Sequence, residues 1–177
     1  KNNFLLYVMP RVKIKKYLTA KWIAYALGTL CIIVIPYILS AVFALYVKPP
    51  VVPFVENPFS HIFENAFIKT PLLYAVALSL WRGTVSLFVM TFGFILALYC
   101  KNIFVILTGP FMYSILENFV LAILCLERLR LVVAFDPTTV NPEVVSIFSF
   151  FFGPIVLSIV IGLTAFLLSK KNAVVTI

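Results

Sequence analysis

Charged residues are scarce in this sequence of 177 residues: Asp, Glu, Lys and Arg together make up only 11% of it. A soluble domain is about one quarter charged and about half apolar. Here 63% of the residues are hydrophobic and the mean hydropathy is +1.13. So little polar surface cannot cover a globule in water, which excludes a soluble enzyme, a disordered segment and a nucleic-acid-binding domain. We therefore expect an integral membrane protein with no nucleic-acid partner.

Cysteine and histidine are also rare, with three Cys and one His. Cys31, Cys100 and Cys125 are widely spaced beside or within apolar runs, so neither a disulfide framework nor a metal-ligand spacing follows. His61 lies in a connecting segment, where a solvated side chain is the ordinary interpretation. The HExxH, GxSxG and phosphate-binding glycine motifs are absent. We expect no catalytic residue, no metal site and no resident cofactor, and any ATP that drives the protein would be bound, with Mg²⁺, by a separate chain.

Four apolar runs are long enough to cross a bilayer, which takes about 20 residues of helix. The predicted transmembrane helices cover residues 22–47, 71–100, 103–126 and 146–169. Lys101 and Asn102 predict a tight turn that makes the second and third helices an antiparallel hairpin. The predicted fold is an all-α integral membrane protein with four transmembrane helices and an amphipathic cytoplasmic segment, residues 1–21, before them.

The charges outside the spans are segregated by side. With four spans, one side holds nine basic residues and no acidic one: Lys1, Arg11, Lys13, Lys15, Lys16, Lys21, Lys101, Lys170 and Lys171. The other side holds four basic and five acidic residues: Lys48, Lys69, Arg128, Arg130, Glu56, Glu64, Glu127, Asp136 and Glu143. Basic residues accumulate on the cytoplasmic side of membrane proteins. This distribution predicts a multi-pass protein of the cell membrane with both ends of the chain in the cytoplasm.

The segments outside the spans differ in composition. Residues 48–70 are rich in proline, which predicts an extended extracellular loop. Residues 127–145 contain Asp136-Pro137 and Asn141-Pro142, which indicate turns in a second extracellular loop. The apolar middle of that loop, Leu129 to Phe135, is compatible with a re-entrant element. Residues 170–177 are predicted to form a cytoplasmic tail.

Two charges lie inside the predicted spans. A charge at mid-bilayer costs about 2.5–3.5 kcal/mol on insertion scales and normally has a partner or a wet cavity. Arg82 is 11 residues from Pro71, and Glu117 is nine residues from Leu126, at the same end of the hairpin. At about 1.5 Å per residue the two depths differ by about 3 Å. We therefore predict an Arg82–Glu117 ion pair, either as a latch between helices, on a substrate path, or in proton or ion coupling, with hydrogen bonds from Ser86 or Asn118.

The segment before the first span interleaves apolar and basic residues. It could lie along the membrane surface with its lysines toward anionic lipid headgroups. Alternatively, it is a coupling element that docks on a soluble partner. The candidate coupling residues are Pro10, Arg11, Lys13, Lys15, Lys16, Tyr17 and Lys21.

The stretch MPRVKIKKYLTAKW, Met9 to Trp22, resembles a short cytoplasmic segment in the permease subunits of type 2 ATP-binding-cassette exporters. In that family the segment contains a proline and an arginine, then a basic pair, Tyr-Leu, and a lysine just before a span. The matching residues here are Pro10, Arg11, Lys15, Lys16, Tyr17, Leu18 and Lys21. The order that follows, with a long span, an outer loop, a hairpin, an outer loop and a last span, is similar to the second half of the family fold.

The resemblance implies an export permease that forms half of a substrate path. Its expected partners are a cytoplasmic ATP-binding subunit, a second permease subunit of the same or a different kind, and membrane lipids. It also implies an amphipathic helix and two further spans ahead of the segment with which this chain begins. The alternative is a non-transporting multi-pass accessory or scaffold subunit of a larger membrane complex.

Overall fold

The computed structural model of the protein describes residues 14–47, 69–136 and 146–175. These residues form four long helices and one short helix: α1 Ile14–Tyr46, α2 Pro71–Tyr99, α3 Ile103–Ile123, α4 Leu131–Phe135 and α5 Ile147–Val175. A 3₁₀ turn, Glu127–Leu129, precedes α4. Each of the four long helices is long and apolar enough to cross a membrane. The described part of the protein is therefore all-helical, with four candidate transmembrane helices.

Helix α1 is continuous across the boundary predicted at Trp22. It has 33 residues and is about 50 Å long. Residues 14–21, expected in a separate cytoplasmic segment, form its first two turns. The sequence has neither proline nor glycine between Ile14 and Trp22, so nothing in it ends the helix there. Residues 1–13, and with them Pro10, Arg11 and Lys13, lie outside the described residues.

The connection between α2 and α3 is short because local signals end α2 and start α3 within a few residues. Cys100 has an extended backbone, which ends α2 after Tyr99. The Asn102 side chain accepts a hydrogen bond from the Phe104 amide at 2.9 Å, which caps the first turn of α3. Lys101 and Asn102 thus occupy the turn of a helical hairpin.

Helices α1 and α2 pack antiparallel along most of their lengths. Near the start of α1, Trp22 Nε1 donates a hydrogen bond to Thr91 Oγ1 at 3.1 Å, while further along α1 the Tyr37 ring faces Arg82 of α2. Between these contacts Gly83 allows a close approach: a Cβ atom there would lie only 2.8 Å from a methyl carbon of Val34. The interface between α1 and α2 therefore extends from Trp22 to Tyr37 along α1.

After α3 the chain turns back into the bundle. Helix α3 ends at Ile123, three residues before the predicted end at Leu126, and Cys125 has a left-handed backbone with φ 56°. Helix α4 then buries Leu131 and two neighbours, Val133 and Ala134. Its backbone lies so close to α5 that a Cβ atom on Gly153 would be 2.8 Å from the Leu131 Cα atom. The apolar middle of the second loop is therefore a packed element of the bundle.

Helix α2 is at the centre of the packing and contacts α1, α3, α4 and α5. The buried cluster joins three of its residues to α4 and α5: Val85, Phe92, Leu96, Leu131 and Leu157. By contrast, α3 has no buried residue. The outward faces of the long helices expose many Leu, Ile and Phe side chains. An apolar exterior of this kind suits hydrocarbon rather than water.

The long helices alternate in direction, so the bundle has two chemically different ends. We call the end where α1 and α3 begin and α2 and α5 finish the basic end. The lysines at this end whose side chains the structure describes are Lys16, Lys21, Lys101 and Lys170. We call the opposite end, where α4 lies, the loop end. The described acidic residues, Glu117, Glu127 and Asp136, are all on the loop-end side.

Candidate functional site

Arg82 contacts the end of α4 and the residue that follows it. Its Nη2 atom is 2.8 Å from Asp136 Oδ2, and its Nε donates a hydrogen bond to the Phe135 carbonyl at 3.3 Å. The Arg82 guanidinium also lies 4.3 Å from the centre of the Tyr37 ring. The Arg82 side chain is only 12% exposed, so its charge is balanced inside the protein rather than by water. Arg82 thus links α1, α2 and the end of α4.

Glu117 contacts the opposite end of α4. Its Oε1 atom accepts a hydrogen bond from the Leu131 amide at 2.9 Å. The first amides of a helix have no partner within the helix, so a carboxylate is a favourable acceptor for them. Glu117 is six residues from the end of α3, about 9 Å along the helix axis. The contact therefore lies inside the bundle rather than at its rim.

The predicted Arg82–Glu117 ion pair is wrong. Arg82 pairs with Asp136, and Glu117 accepts from a backbone amide instead. The depth argument assumed that α2 and α3 face each other directly at this level. In the structure α4 contacts both helices, and each charge satisfies one end of it. The charges are neighbours of one element without contacting each other.

The predicted helpers of that pair have other contacts. Ser86 Oγ donates to the Arg82 carbonyl, a backbone contact within α2, at 2.9 Å. Within the described ranges, no hydrogen bond joins Asn118 to Arg82 or Glu117.

Two residues that sequence reasoning missed complete the site. From the sequence, Asp136 is placed among the charges outside the spans and in an Asp-Pro turn, although an acid directly after an apolar segment is a suitable partner for an intramembrane arginine. Trp81 Nε1 donates a hydrogen bond to the Ala134 carbonyl at 2.7 Å, and its ring makes an edge contact with Phe151 of α5. We call Trp81, Arg82, Glu117 and Asp136 the α4 clamp, because together they hold the backbone or the ends of α4.

One part of the α4 clamp is incompletely satisfied. Glu117 Oε2 and Arg130 Nε are buried, and neither has a hydrogen-bond partner in the described part of the chain. Arg130 Nη2 forms an ion pair with Glu127 Oε1 at 2.9 Å. Buried polar atoms without partners are costly, so Glu117 is the least well satisfied residue of the α4 clamp.

The candidate coupling residues that the structure describes lie at the start of α1. Lys16 and Lys21 are exposed and Tyr17 is half-buried. The Lys21 ammonium lies 5.8 Å from the centre of the Tyr25 ring, one helical turn further along. Lys15 belongs to the same helical turn as Lys16. These residues are on the first turns of a helix that continues into the bundle.

A lateral groove runs between α1 and α3 over the surface of α2. Its volume is about 880 Å³, and its lining is predominantly apolar. Tyr25 and Phe94 line it towards the basic end, while Leu131 and Phe135 line it towards the loop end. The lateral groove is therefore bordered at one end by lysines and at the other by α4.

Among the described residues, no three His, Cys, Asp or Glu side chains lie close enough to hold a metal ion together. Cys31, Cys100 and Cys125 are free thiols. No family model matches this chain, and neither a curated protein nor a solved structure matches it.

Proposed function

We propose that this protein is the permease subunit of an ATP-driven export complex and forms half of a substrate path across the cell membrane. The similarity of Met9–Trp22 to the cytoplasmic segment of type 2 ATP-binding-cassette permeases motivates the proposal. The path would be completed by a second permease subunit, of the same or a different kind. A separate cytoplasmic subunit would bind and hydrolyse ATP, so this chain would not itself be an enzyme.

The observation that carries the proposal is the continuity of α1. The helix extends without interruption from Ile14, in the candidate coupling segment, to Tyr37, whose ring faces Arg82. Tyr37 is 21 residues after Lys16, about 32 Å along the helix. A movement of the first turns of α1 would therefore reach the α4 clamp through one helix. Pro36, inside α1, removes one backbone hydrogen bond from this connection.

The same proposal includes the orientation of the chain. The basic end would face the cytoplasm, because lysine and arginine accumulate there and acidic residues do not. The ATP-binding subunit would dock at the start of α1, and the α4 clamp would lie in the outer half of the membrane. Substrate would leave on the side of the loop end.

A specific observation favours the accessory or scaffold alternative. Both intramembrane charges are engaged by contacts within the protein, Arg82 with Asp136 and Glu117 with Leu131. Residues used in this way hold helices together and do not require a substrate. A scaffold would keep the α4 clamp but would bind no ATPase at the basic end.

Co-purification distinguishes the two functions. We expect the protein, isolated in mild detergent from its own host, to retain a soluble ATPase in a fixed ratio. Replacing Lys13, Lys15 and Lys16 by Gln should remove that subunit. The matched control replaces Lys48, Lys69 and Arg128 by Gln, which removes the same charge from the loop side and should leave the complex intact.

Neutral glutamine keeps the positive excess at the basic end, so the orientation of the variants should not change. Labelling of a cysteine introduced at position 101, in a background where Cys31, Cys100 and Cys125 are replaced by Ser, checks this directly. Retention of every partner by the first triple variant would contradict docking at α1. Absence of any ATPase from the wild-type preparation, with other membrane subunits present, would favour the scaffold.

A further inference from the structure

We propose that the lateral groove between α1 and α3 binds one acyl chain of an anionic phospholipid, whose phosphate contacts Lys21 and Lys101 at the basic end. The proposal concerns a lipid site on the protein and does not depend on export activity. It follows from the shape of the lateral groove, from the charge at its open end and from the element that closes its other end.

The lining of the lateral groove suits a hydrocarbon chain. The lateral groove is recessed because several of its lining residues on α1, α2 and α3 are small, among them Gly28, Gly93 and Ala97. Its volume of about 880 Å³ lies within the range of about 300–1,000 Å³ that is typical of small-molecule sites. A chain in this recess would contact protein on three sides, whereas a chain on a flat helix face contacts it on one.

The length of the lateral groove favours an acyl chain over a helix. On α2 its lining extends from Val85 to Ala97, about 18 Å at the rise of an α-helix. One leaflet provides about half of the roughly 30 Å hydrocarbon core, which is close to this length. A transmembrane helix of a second subunit crosses the whole core of roughly 30 Å, so it would be longer than the lateral groove. It would extend past the loop end of the groove, which Leu131 and Phe135 border.

The charge at the basic end selects the headgroup. The Lys21 ammonium lies 5.8 Å from the centre of the Tyr25 ring, which lines the lateral groove. Lys101 is exposed in the turn that joins α2 and α3, the two helices that form the floor and one wall. No acidic residue lies among the described residues of this end. Lysines near a membrane surface each favour anionic lipid by about fivefold, which corresponds to about 1 kcal/mol.

Glycine gives a direct way to block the site. A Cβ atom added to Gly28 would meet no atom within 4 Å, so Gly28→Leu should fold normally while its side chain occupies the lateral groove. Gly162 of α5 has the same open surroundings and does not line the lateral groove. Gly162→Leu is therefore a matched control for the change of residue type.

The experiment titrates the delipidated full chain with phosphatidylglycerol or phosphatidylcholine of identical acyl chains and counts bound lipids by native mass spectrometry. We expect one tightly bound phosphatidylglycerol per chain. Gly28→Leu should weaken its binding about tenfold or more, and Gly162→Leu should not change it. Lys21→Gln and Lys101→Gln should each reduce the preference for phosphatidylglycerol about fivefold, whereas Lys170→Gln, on α5, should leave it unchanged.

Two results would overturn the proposal. The first is that Gly28→Leu retains phosphatidylglycerol and phosphatidylcholine as well as the wild type does, when circular dichroism shows that both proteins are folded. The second is a loss of self-association in Gly28→Leu, measured by light scattering, because the lateral groove would then be a contact between two chains. A failure of the lipid experiment leaves ATPase co-purification unaffected, so the two proposals fail independently.

Discussion

The buried or half-buried charges at the loop end of the bundle, Arg82, Glu117 and Asp136, are engaged by the protein itself, whereas the lysines at the basic end are exposed. Arg82 is 12% exposed and contacts Asp136, the Phe135 carbonyl and the Tyr37 ring. At the other end Lys16, Lys21 and Lys101 are all exposed. Buried charges must be compensated locally, while charges at a membrane surface are stabilised by water and headgroups. The loop end therefore has buried charges that hold the fold, and the basic end has exposed lysines.

The comparison is tested most strongly at Arg82. Arg82→Met should destabilise the protein by about 2–3 kcal/mol, because it leaves Asp136 without its cation. This is less than the 3–5 kcal/mol expected for a fully buried pair, since the Asp136 side chain is 28% exposed. Unfolding in detergent, followed by circular dichroism, measures the loss.

A double-mutant cycle identifies the partner of Arg82. Arg82→Met and Asp136→Asn should be coupled, with the double variant losing less than the sum of the single losses. Arg82→Met and Glu117→Gln should be nearly additive. Strong coupling of Arg82 to Glu117 instead would restore the ion pair that the sequence predicts and would refute the geometry of the α4 clamp.

A smaller effect is expected at Glu117, where the shape of the acceptor matters more than its charge. Glu117→Gln keeps an oxygen that can accept from the Leu131 amide at 2.9 Å, so the loss should be under about 1 kcal/mol. Glu117→Leu leaves that amide unpaired and should cost about 1–3 kcal/mol. The same unfolding measurement compares the two variants. A Glu117→Gln variant as unstable as Glu117→Leu would indicate that the negative charge itself is required.

The smallest effect is expected at Lys16. Lys16 is exposed, and substitutions at exposed positions usually change stability by less than about 0.5 kcal/mol. Lys16→Gln should therefore unfold like the wild type, even if it weakens binding of a partner. A large loss of stability would mean that the basic end, like the loop end, uses its charges for internal contacts.

Much of the helix pattern could be predicted, because long apolar runs and their interrupting charges are local signals. The polar residues Lys101 and Asn102 marked the hairpin turn, and the structure has α2 ending at Tyr99 and α3 beginning at Ile103. Helix ends were less accurate. Helix α1 includes residues 14–21, ahead of the predicted span, and α3 ends at Ile123 although the apolar run continues.

The candidate site was predictable only in part. Arg82 and Glu117 stand out because each is a single charge in an apolar run. Their partners do not, because the Leu131 amide and the Phe135 carbonyl belong to the backbone and carry no sequence signal. Asp136 could have been found by searching for an acid beside the apolar segment that follows α3.

The sequence by itself determined the class of the protein, the number of candidate spans and the segregation of charge, because hydrophobic length and charge position are properties of the chain in any fold. Only the tertiary structure decided how the intramembrane charges are satisfied. That depends on the return of α4 into the bundle, where it contacts α2, a helix distant from it in sequence. It depends also on the absence of a side chain at Gly153 of α5, which lets the backbone of α4 approach α5.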